Sequence, residues 1–357
     1  MPNDDQAKTI VVTQYPIAAQ ELVELNKHVS GPFDQLSVST IISKGHIHLI
    51  RYLRSLHYQR VVVFLNHEYE SPFSDALTIV GLIIPSLQRK VIDFNYQQSN
   101  LSYLMGAVSG AKIFACIGMS VPVYVYLILR CIWLESRPRI DPKPDSLKNK
   151  HVLYLKMTLW LGIQVGGALT HAKGIIKSLT ARGYQVEVVS SEPFEFEVFG
   201  RQVKISKIPI QLPYVSPREL NHFFSHISAL RSLKDSKQQT NVGFIYQRLS
   251  TGNFVGVEVS RAREIPLIVE YNGSEIWLSE NWGTPYFFKG LVSKIEALVL
   301  THAHLIVTVS DVLKNELISK GYEENKIAVA PNGFDVDVFN SKSSFNFDAV
   351  LVESQHS

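Results

Sequence analysis

The residues best suited to bind a ligand are two adjacent glycines, Gly166 and Gly167, in the stretch WLGIQVGGALTHAKGIIKSL. They stand between a predicted strand and the predicted helix that follows it. Adjacent glycines let the backbone approach a ligand closely, and the amides at a helix N-terminus favour an anion, so we expect phosphate or pyrophosphate there. Tight strand-to-helix turns also need glycine for steric reasons alone. Neither a G-x-G-x-x-G fingerprint nor a G-x-x-x-x-G-K-[ST] loop occurs in the chain.

A second polar group is the segment EYNGSEIW, which contains Glu270, Asn272, Gly273, Ser274 and Glu275 and follows a predicted strand. Ligands of open α/β sheets collect at the carboxyl ends of strands. Glu275 can accept hydrogen bonds from sugar hydroxyls or position an acceptor, whereas Asn272 cannot act as a general base near neutral pH. The structural alternative is an Asn-Gly turn followed by a serine that caps a helix.

No metal or disulfide framework is indicated. Cys116 and Cys131 are the two cysteines, and neither has a His or Cys at metal-binding spacing. No two histidines of the N-terminal part lie at the i, i+4 spacing that places two ligands on one helix face. These histidines are His46, His48, His57 and His67.

Composition excludes several broad classes. The chain has 357 residues, 46% of them hydrophobic and 19% charged, which suffices for one large or two ordinary packed domains and excludes wholesale disorder. A net charge of +3 is too small to indicate a nucleic-acid partner. The N-terminus, MPNDDQAKTI, is acidic and polar where a secretory signal needs a basic and then an apolar segment, so we expect a cytoplasmic location.

Patterning divides the chain into four parts. In residues 1–100, apolar runs alternate with helix-like stretches and predict a small α/β region of unknown role, in which RVVVFLN and KVIDFN are spaced as in a βαβ unit. Residues 101–150 hold a hydrophobic segment and then a proline-rich linker, ESRPRIDPKPDSLKNK. Residues 151–339 form the third part, and residues 340–357 are a tail.

The hydrophobic segment predicts membrane contact. Residues 113–129 carry no charge, which reaches the lower limit of a spanning helix, about 17 to 25 residues. A re-entrant or interfacial placement is as consistent with the sequence as a span, and a buried core helix is the alternative. Gly118 and Pro122 are expected to interrupt a helix of either kind.

The third part alternates strands and helices regularly. Strands are predicted at residues 152–157, 185–190, 242–247, 266–271, 304–310 and 326–332. Helices are predicted at residues 168–182, 217–236, 253–263, 285–302 and 311–320. The fold class is therefore α/β, with a Rossmann-like, doubly wound parallel sheet that has helices on both faces.

The order of these pieces resembles the N-terminal half of the retaining nucleotide-sugar glycosyltransferases of the family-four type, which have two facing Rossmann-like domains (the GT-B architecture). The resemblance covers residues 151–339. It is carried by three stretches: GGALTHAKGIIKSLTARGYQVEVVS, PLIVEYNGSE and AHLIVTVSDVLKNELISKGYEENKIAVAPNGFDVDVF.

The resemblance assigns roles to the first and last of these stretches. It implies that Gly166 and Gly167 face the interdomain cleft and approach the donor phosphates. His171 matches a histidine common in the helix that follows, and Asn332 and Gly333 match the hinge into the second domain.

The middle stretch departs from the family pattern. Many members carry a histidine where this chain has Asn272 followed by Gly273, so a catalytic histidine is not expected. In retaining enzymes of this kind the leaving phosphate is thought to accept the acceptor's proton, and the chemistry does not depend on that histidine. Asn272 and Glu275 are the catalytic candidates, and Ser274 joins them among the binding candidates.

The implied function is hexosyl transfer, as in polysaccharide biosynthesis, from a nucleotide sugar to a saccharide or lipid-linked glycan. The donor is a substrate, and no metal or cofactor is expected. The family's donor-binding domain cannot be formed by residues 340–357, so the resemblance implies a truncated chain, weak or inactive unless a partner chain supplies that domain. The alternative is a non-catalytic acceptor-binding or membrane-recruiting subunit that pairs with a donor-binding chain. A nicotinamide-dependent oxidoreductase is disfavoured because its phosphate fingerprint is missing.

Overall fold

A computed structural model describes residues 9–42, 46–159, 167–191, 197–198, 201–203, 205–208, 215–235, 241–282 and 284–331. Two α/β units follow one another along the chain, with a long helix between them. The first unit contains β1 (Thr9–Thr13), α1 (Ala19–Leu25), β2 (Phe33–Ser37), α2 (Val38–Ile42), α3 (His46–Ser55), β3 (Tyr58–Phe64), α4 (Ser74–Ile83), β4 (Ser86–Ile92) and β5 (Gln98–Asn100).

The first unit is a five-stranded sheet in the order β2-β1-β3-β4-β5. Its strands are parallel except β5, which pairs antiparallel with β4. The predicted βαβ unit is present, because β3 and β4 are parallel neighbours joined through α4. Strand β2 has the sequence FDQLS, which lacks an apolar run because it forms an edge of the sheet with two exposed positions. The sequence patterns do not predict it.

Helix α5 (Tyr103–Glu135) is continuous, and the expected interruption at Gly118 and Pro122 is wrong. Pro122 lacks the amide that would bond the carbonyl of residue 118, so the helix continues past it without that one hydrogen bond. Buried residues on both sides of the proline, Ser120 and Leu127, also hold the helix against its neighbours. Among the described residues, α5 is the helix long and apolar enough to cross a membrane, and 17% of its most apolar window is buried.

The proline-rich segment after α5 is fixed to the second unit. The Lys143 amide donates to the Glu264 carbonyl at 2.9 Å, and the Arg139 guanidinium donates to the Ala303 carbonyl at 3.0 Å. The His304 ring nitrogen lies 3.0 Å from the Ile140 carbonyl. The expected linker is thus a hydrogen-bonded strap, because both its backbone and its side chains pair with groups of the second unit.

The second unit continues the chain. Its elements are β6 (His151–Lys156), α6 (Gly167–Ala181), β7 (Gln185–Ser190), β8 (Glu197–Val198), β9 (Arg201–Gln202), β10 (Ile205–Lys207), α7 (Glu219–Asp235), β11 (Phe244–Arg248), α8 (Val255–Arg263), β12 (Leu267–Tyr271), α9 (Glu275–Asn281), α10 (Lys289–His302), β13 (Leu305–Thr308), α11 (Asp311–Ser319) and β14 (Ile327–Val329). Strand β7 spans the predicted residues, whereas α9 and the short strands β8 to β10 are not predicted.

Seven of these strands form one parallel sheet in the order β10-β7-β6-β11-β12-β13-β14. Alternate residues of β6 enter different cores: Val152 and Tyr154 pack with α6, and Leu153 and Leu155 pack in the cluster that includes α7, α8 and α10. Helices therefore cover both faces, and the predicted doubly wound α/β class is confirmed. The strand order reverses between β6 and β11, and ligands of open α/β sheets bind at such a reversal, at the carboxyl ends of the strands.

Candidate functional site

The carboxyl edge of the seven-stranded sheet is unusually polar for a buried region. Buried polar residues follow or end five of its strands; they are Lys156, Thr158, Ser190, Ser191, Ser250, Thr251, Glu270 and Thr308. A buried polar group is costly unless it has a hydrogen-bond partner. The hydroxyls of Thr158, Ser250 and Thr308 have none within the described part of the chain. This edge therefore offers unused hydrogen-bonding groups to a ligand or to a facing domain.

Glu270, the carboxylate near the end of β12, lies at the centre of this edge and is fully buried. Its Oε1 accepts from Arg248 Nη1 at 3.0 Å and from Asn272 Nδ2 at 2.6 Å. Its Oε2 accepts from the Tyr246 hydroxyl at 3.1 Å. His171 Nε2 lies 3.4 Å from Oε1. One carboxylate thus joins α6, β11 and the turn after β12.

These contacts keep Glu270 ionised. Burial by itself raises the pKa of a carboxyl, but the neighbouring His171, Arg248 and Asn272 outweigh burial and hold the pKa of Glu270 below its ordinary value. The side chain of Arg248 is only 12% exposed, so the charge pair is largely shielded from solvent. A carboxylate with this many donors is suited to positioning other groups rather than to accepting a proton.

Glu275, the first residue of α9, has the opposite electrostatic behaviour. Burial raises its pKa, although a hydrogen bond from Thr251 and the charges of Arg248 and Arg218 oppose the rise. The Thr251 hydroxyl donates to Glu275 Oε2 at 2.6 Å and lies 2.8 Å from the hydroxyl of Tyr286. Glu275 is thereby the more readily protonated of the two carboxyls, which is the property that a proton-handling or hydroxyl-binding group needs.

The turn between Glu270 and Glu275 fits both interpretations of EYNGSEIW, as a helix-capping turn and as a place where a ligand can bind. Ser274 caps α9 as the structural interpretation predicts, and its side chain accepts from the Trp277 amide. Glu296 of α10 accepts from the Ser274 hydroxyl at 3.2 Å and from the Glu275 amide at 2.9 Å. Gly273 has φ +118°, and no atom lies within 4 Å of the place a Cβ would take. The backbone at this glycine is open to close approach by a ligand.

The structure brings together some of the sequence-predicted residues. His171 and Asn272 meet at Glu270, while Glu275 lies beside Thr251. The charge of Arg248 acts on both carboxylates. Gly167 is the first residue of α6. Gly166 and the predicted hinge, Asn332 and Gly333, lie outside the described residues.

The sequence analysis misses several residues of the site, among them Arg248, Thr251 and Arg218. Arg248 and Thr251 follow the same rule as EYNGSEIW, because they end or follow a parallel strand. Arg218 is different, since it precedes α7 and reaches the site through tertiary packing over the Tyr286 ring, with 4.5 Å between its Cζ and the ring centroid. Its Nε is buried and has no hydrogen-bond partner in the described ranges.

The described residues contain no group of three or more His, Cys, Asp or Glu that could hold a metal ion. His67, one of the histidines in the N-terminal run, lies 2.6 Å from Glu21 through Nε2 and Oε1. That contact is an ion pair when the histidine is protonated.

Several solved structures match part of this chain. Sucrose-phosphate synthase from Thermosynechococcus elongatus is 13% identical, with a TM-score of 0.36, and the match covers 58% of this chain and 96% of that one. Anabaena HepE in complex with UDP-glucose is 16% identical, with a TM-score of 0.35, covering 57% of this chain and 49% of that one. HepE with UDP and glucose is 18% identical at the same coverage and TM-score. The chain thus spans about half the length of the HepE chains that it matches.

Sequence comparison finds a similarity in the second unit. A search of the curated proteins returns no match. Residues 165–338 match the family model described as Glycosyltransferase Family 4. That range includes α6, the Glu270 cluster, and α9 with Glu275. Over these residues, the second unit of this chain is similar to glycosyltransferase family 4.

Proposed function

We propose that this chain takes part in retaining glycosyl transfer from a nucleotide sugar to a saccharide or lipid-linked glycan, at the cytoplasmic face of a membrane. The observation that carries the proposal is the buried Glu270 cluster at the strand-order reversal of the second unit, within the residues similar to glycosyltransferase family 4, with unused hydroxyls around it. A sugar presents many hydroxyls, and such a polar crevice supplies donors and acceptors for them.

The proposed roles follow from the local chemistry. Glu270 is a positioning residue that holds Asn272, Arg248 and His171 at the crevice. Glu275 accepts a hydrogen bond from an acceptor hydroxyl, because its raised pKa makes it the better proton acceptor. The donor pyrophosphate approaches the amides at the start of α6, beginning with Gly167, where the helix dipole favours negative charge.

A matched pair of glutamates in α9 tests these roles. Nucleotide diphosphate release is measured for the full chain with UDP-, GDP- and CDP-sugars and a lipid extract as acceptor source. Glu275→Gln keeps the shape but loses the charge, and we expect at least a tenfold fall in kcat/KM. Glu280→Gln, at an exposed position of the same helix, should have no effect. Equal activity of the Glu275 variant and the parent would remove Glu275 from the site.

Direct binding separates the proposed activity from the alternative role. Calorimetric titration of the chain with each nucleotide sugar should show saturable binding, weakened by His171→Ala. If no nucleotide sugar binds while acceptor or vesicle binding remains, the chain is better described as an acceptor-binding or membrane-recruiting subunit. A donor-binding partner chain would then supply the other half of the site.

A further inference from the structure

Two opposite stripes run along helix α5. The buried stripe consists of Ser109, Cys116, Ser120, Leu127, Cys131 and Leu134, which packs against the two α/β units. The outward stripe consists of Phe114, Val121, Val125 and Ile132, all exposed. The outward residues repeat at intervals of seven, four and seven, which keeps them on one face of a helix. The buried stripe therefore carries mostly small side chains, and the outward stripe carries large apolar ones.

We propose that α5 lies in the plane of an anionic membrane surface, with its outward stripe in the lipid and both α/β units on the same side. This inference rests on the membrane location proposed above and specifies how the chain meets the lipid. A helix that crosses the bilayer must expose every face to lipid or to protein within the membrane. Here the buried stripe is already covered by the two α/β units.

Polar contacts fix the buried face at several points along the helix. The Ser109 hydroxyl donates to Asp75 Oδ1 at 2.7 Å, on α4 of the first unit. Arg130 donates to both carboxylate oxygens of Glu258, at 2.6 and 2.7 Å, on α8 of the second unit. Moving α5 into the hydrocarbon would separate these pairs and carry unpaired charges into lipid. In-plane binding leaves them intact.

Charge and aromatic residues at both ends match an anionic headgroup layer. Near the C-terminal end, the Arg137 guanidinium lies 5.2 Å from the ring centroid of Trp133. The Arg130 guanidinium, which is paired with Glu258, lies 4.1 Å from the same centroid. At the other end, the Arg89 guanidinium lies 5.5 Å from the ring centroid of the exposed Tyr103. Aromatic rings and cations together favour the headgroup level and anionic lipids.

The surface beside the helix continues the same chemistry. An apolar groove of about 330 Å³ lies between α5 and α7, lined by residues that include Tyr126, Ile227 and Leu230. A second groove of about 610 Å³ shares Leu230. Its charged lining residues are Glu258 and the arginines Arg130, Arg261 and Arg263, so basic groups outnumber the single acid. An apolar groove beside a basic one suits a lipid tail and its anionic headgroup.

Vesicle sedimentation of the full chain tests the proposal. The probes are vesicles of phosphatidylcholine alone and vesicles with about one third phosphatidylglycerol. We expect binding to the anionic vesicles and at least tenfold weaker binding to the neutral ones, with the difference reduced by high salt. Equal binding to both, or to neither, would contradict the proposal.

A matched pair of double variants isolates the outward stripe. Phe114 and Val121 are 77% and 65% exposed, and Val312 and Val23, elsewhere on the surface, are 76% and 65% exposed. The double change Phe114→Asp with Val121→Asp should weaken vesicle binding at least tenfold. Val312→Asp with Val23→Asp adds the same charge and should leave it unchanged. Loss of vesicle binding in both double variants, or in neither of them, would overturn the assignment of this face.

Depth measurements separate an in-plane helix from a spanning one. Single labels at Leu104→Cys, Val121→Cys and Leu129→Cys are quenched by lipids that carry a quencher at known depths. Equal, shallow depths are expected for all three. A central label deeper than the others, or labels in opposite leaflets, would show a span and overturn the in-plane placement while the membrane location stands. A dimer in solution that the Phe114 and Val121 double variant dissociates would assign the stripe to a second copy instead.

The proposed transferase activity is tested by a separate readout. Calorimetric binding of nucleotide sugars by the Phe114→Asp, Val121→Asp variant should equal that of the parent chain. Vesicle binding by the Glu275→Gln variant should also equal that of the parent. Failure of lipid binding and failure of sugar binding are therefore distinguishable.

Discussion

Replacing Glu270 by glutamine should destabilise the second unit strongly, because three donors converge on this carboxylate. The amide removes the charge opposite Arg248 and turns a donor toward Asn272 or Tyr246, both of which donate to Glu270 in the parent chain. Removing one partner of a buried charge pair costs about 3–5 kcal/mol. Glutamine keeps the shape and one acceptor oxygen, so we expect about 2–4 kcal/mol. For a unit of this size that is roughly 5–15 °C in Tm.

The sign of the pH dependence follows from the pKa of Glu270, which lies below its ordinary value of 4.5. The ionised form is stabilised by folding, so its contribution is present above about pH 4.5 and is lost as pH falls through the lower pKa of the folded state. The stability gap between the parent and Glu270→Gln should be full at pH 7 and should close in more acidic solution.

Urea denaturation monitored by circular dichroism measures this gap at each pH. Glu264→Gln is the matched control, because Glu264 pairs with Lys143 at 2.9 Å while both side chains are more than half exposed. That change should cost about 0–1 kcal/mol. A Glu270 variant within about 1 kcal/mol of the parent at pH 7, or a control variant equally destabilised, would refute the reasoning.

Three further predictions concern packing. Gly243→Ala should lower the free energy of unfolding by more than about 2 kcal/mol, because its Cβ would lie 2.1 Å from a backbone oxygen. Gly290→Ala, in open space, should be neutral or stabilising, and urea denaturation measures both changes. Arg130→Met should cost about 1–3 kcal/mol by leaving the buried Glu258 unpaired, and a loss below about 0.5 kcal/mol would contradict this. Burial raises the pKa of Cys131 to about 12, so alkylation at pH 8 should require unfolding; rapid labelling of the native chain would contradict that expectation.

Local patterns predict much of the second unit. Strand β7, QVEVVS, matches its predicted residues because its three valines lie between clear turn signals. Gly183 follows the end of α6 with φ +81°, as a glycine C-terminal stop predicts. Strand β2 is missed because an edge strand needs few apolar residues. The predicted interruption at Pro122 is wrong because the packing that maintains α5 comes from elements distant in sequence.

The candidate site is predicted only where one segment contains its residues. Asn272, Ser274 and Glu275 share a turn, so the carboxyl-end rule identifies them together. The importance of Glu270 depends on partners from α6 and β11, and these become neighbours only once the strand order is known. The sequence alone places Glu270 in the cluster but gives it no role.

The continuity of α5 has a mechanical consequence. At 1.5 Å per residue its 33 residues extend for about 50 Å, and this rod packs on α4 of the first unit and on α7 and α10 of the second. The proline-rich strap that follows is fixed to the second unit by hydrogen bonds. The two α/β units should therefore tumble with a single rotational correlation time, and a torque applied to one of them is transmitted to the other along the helix.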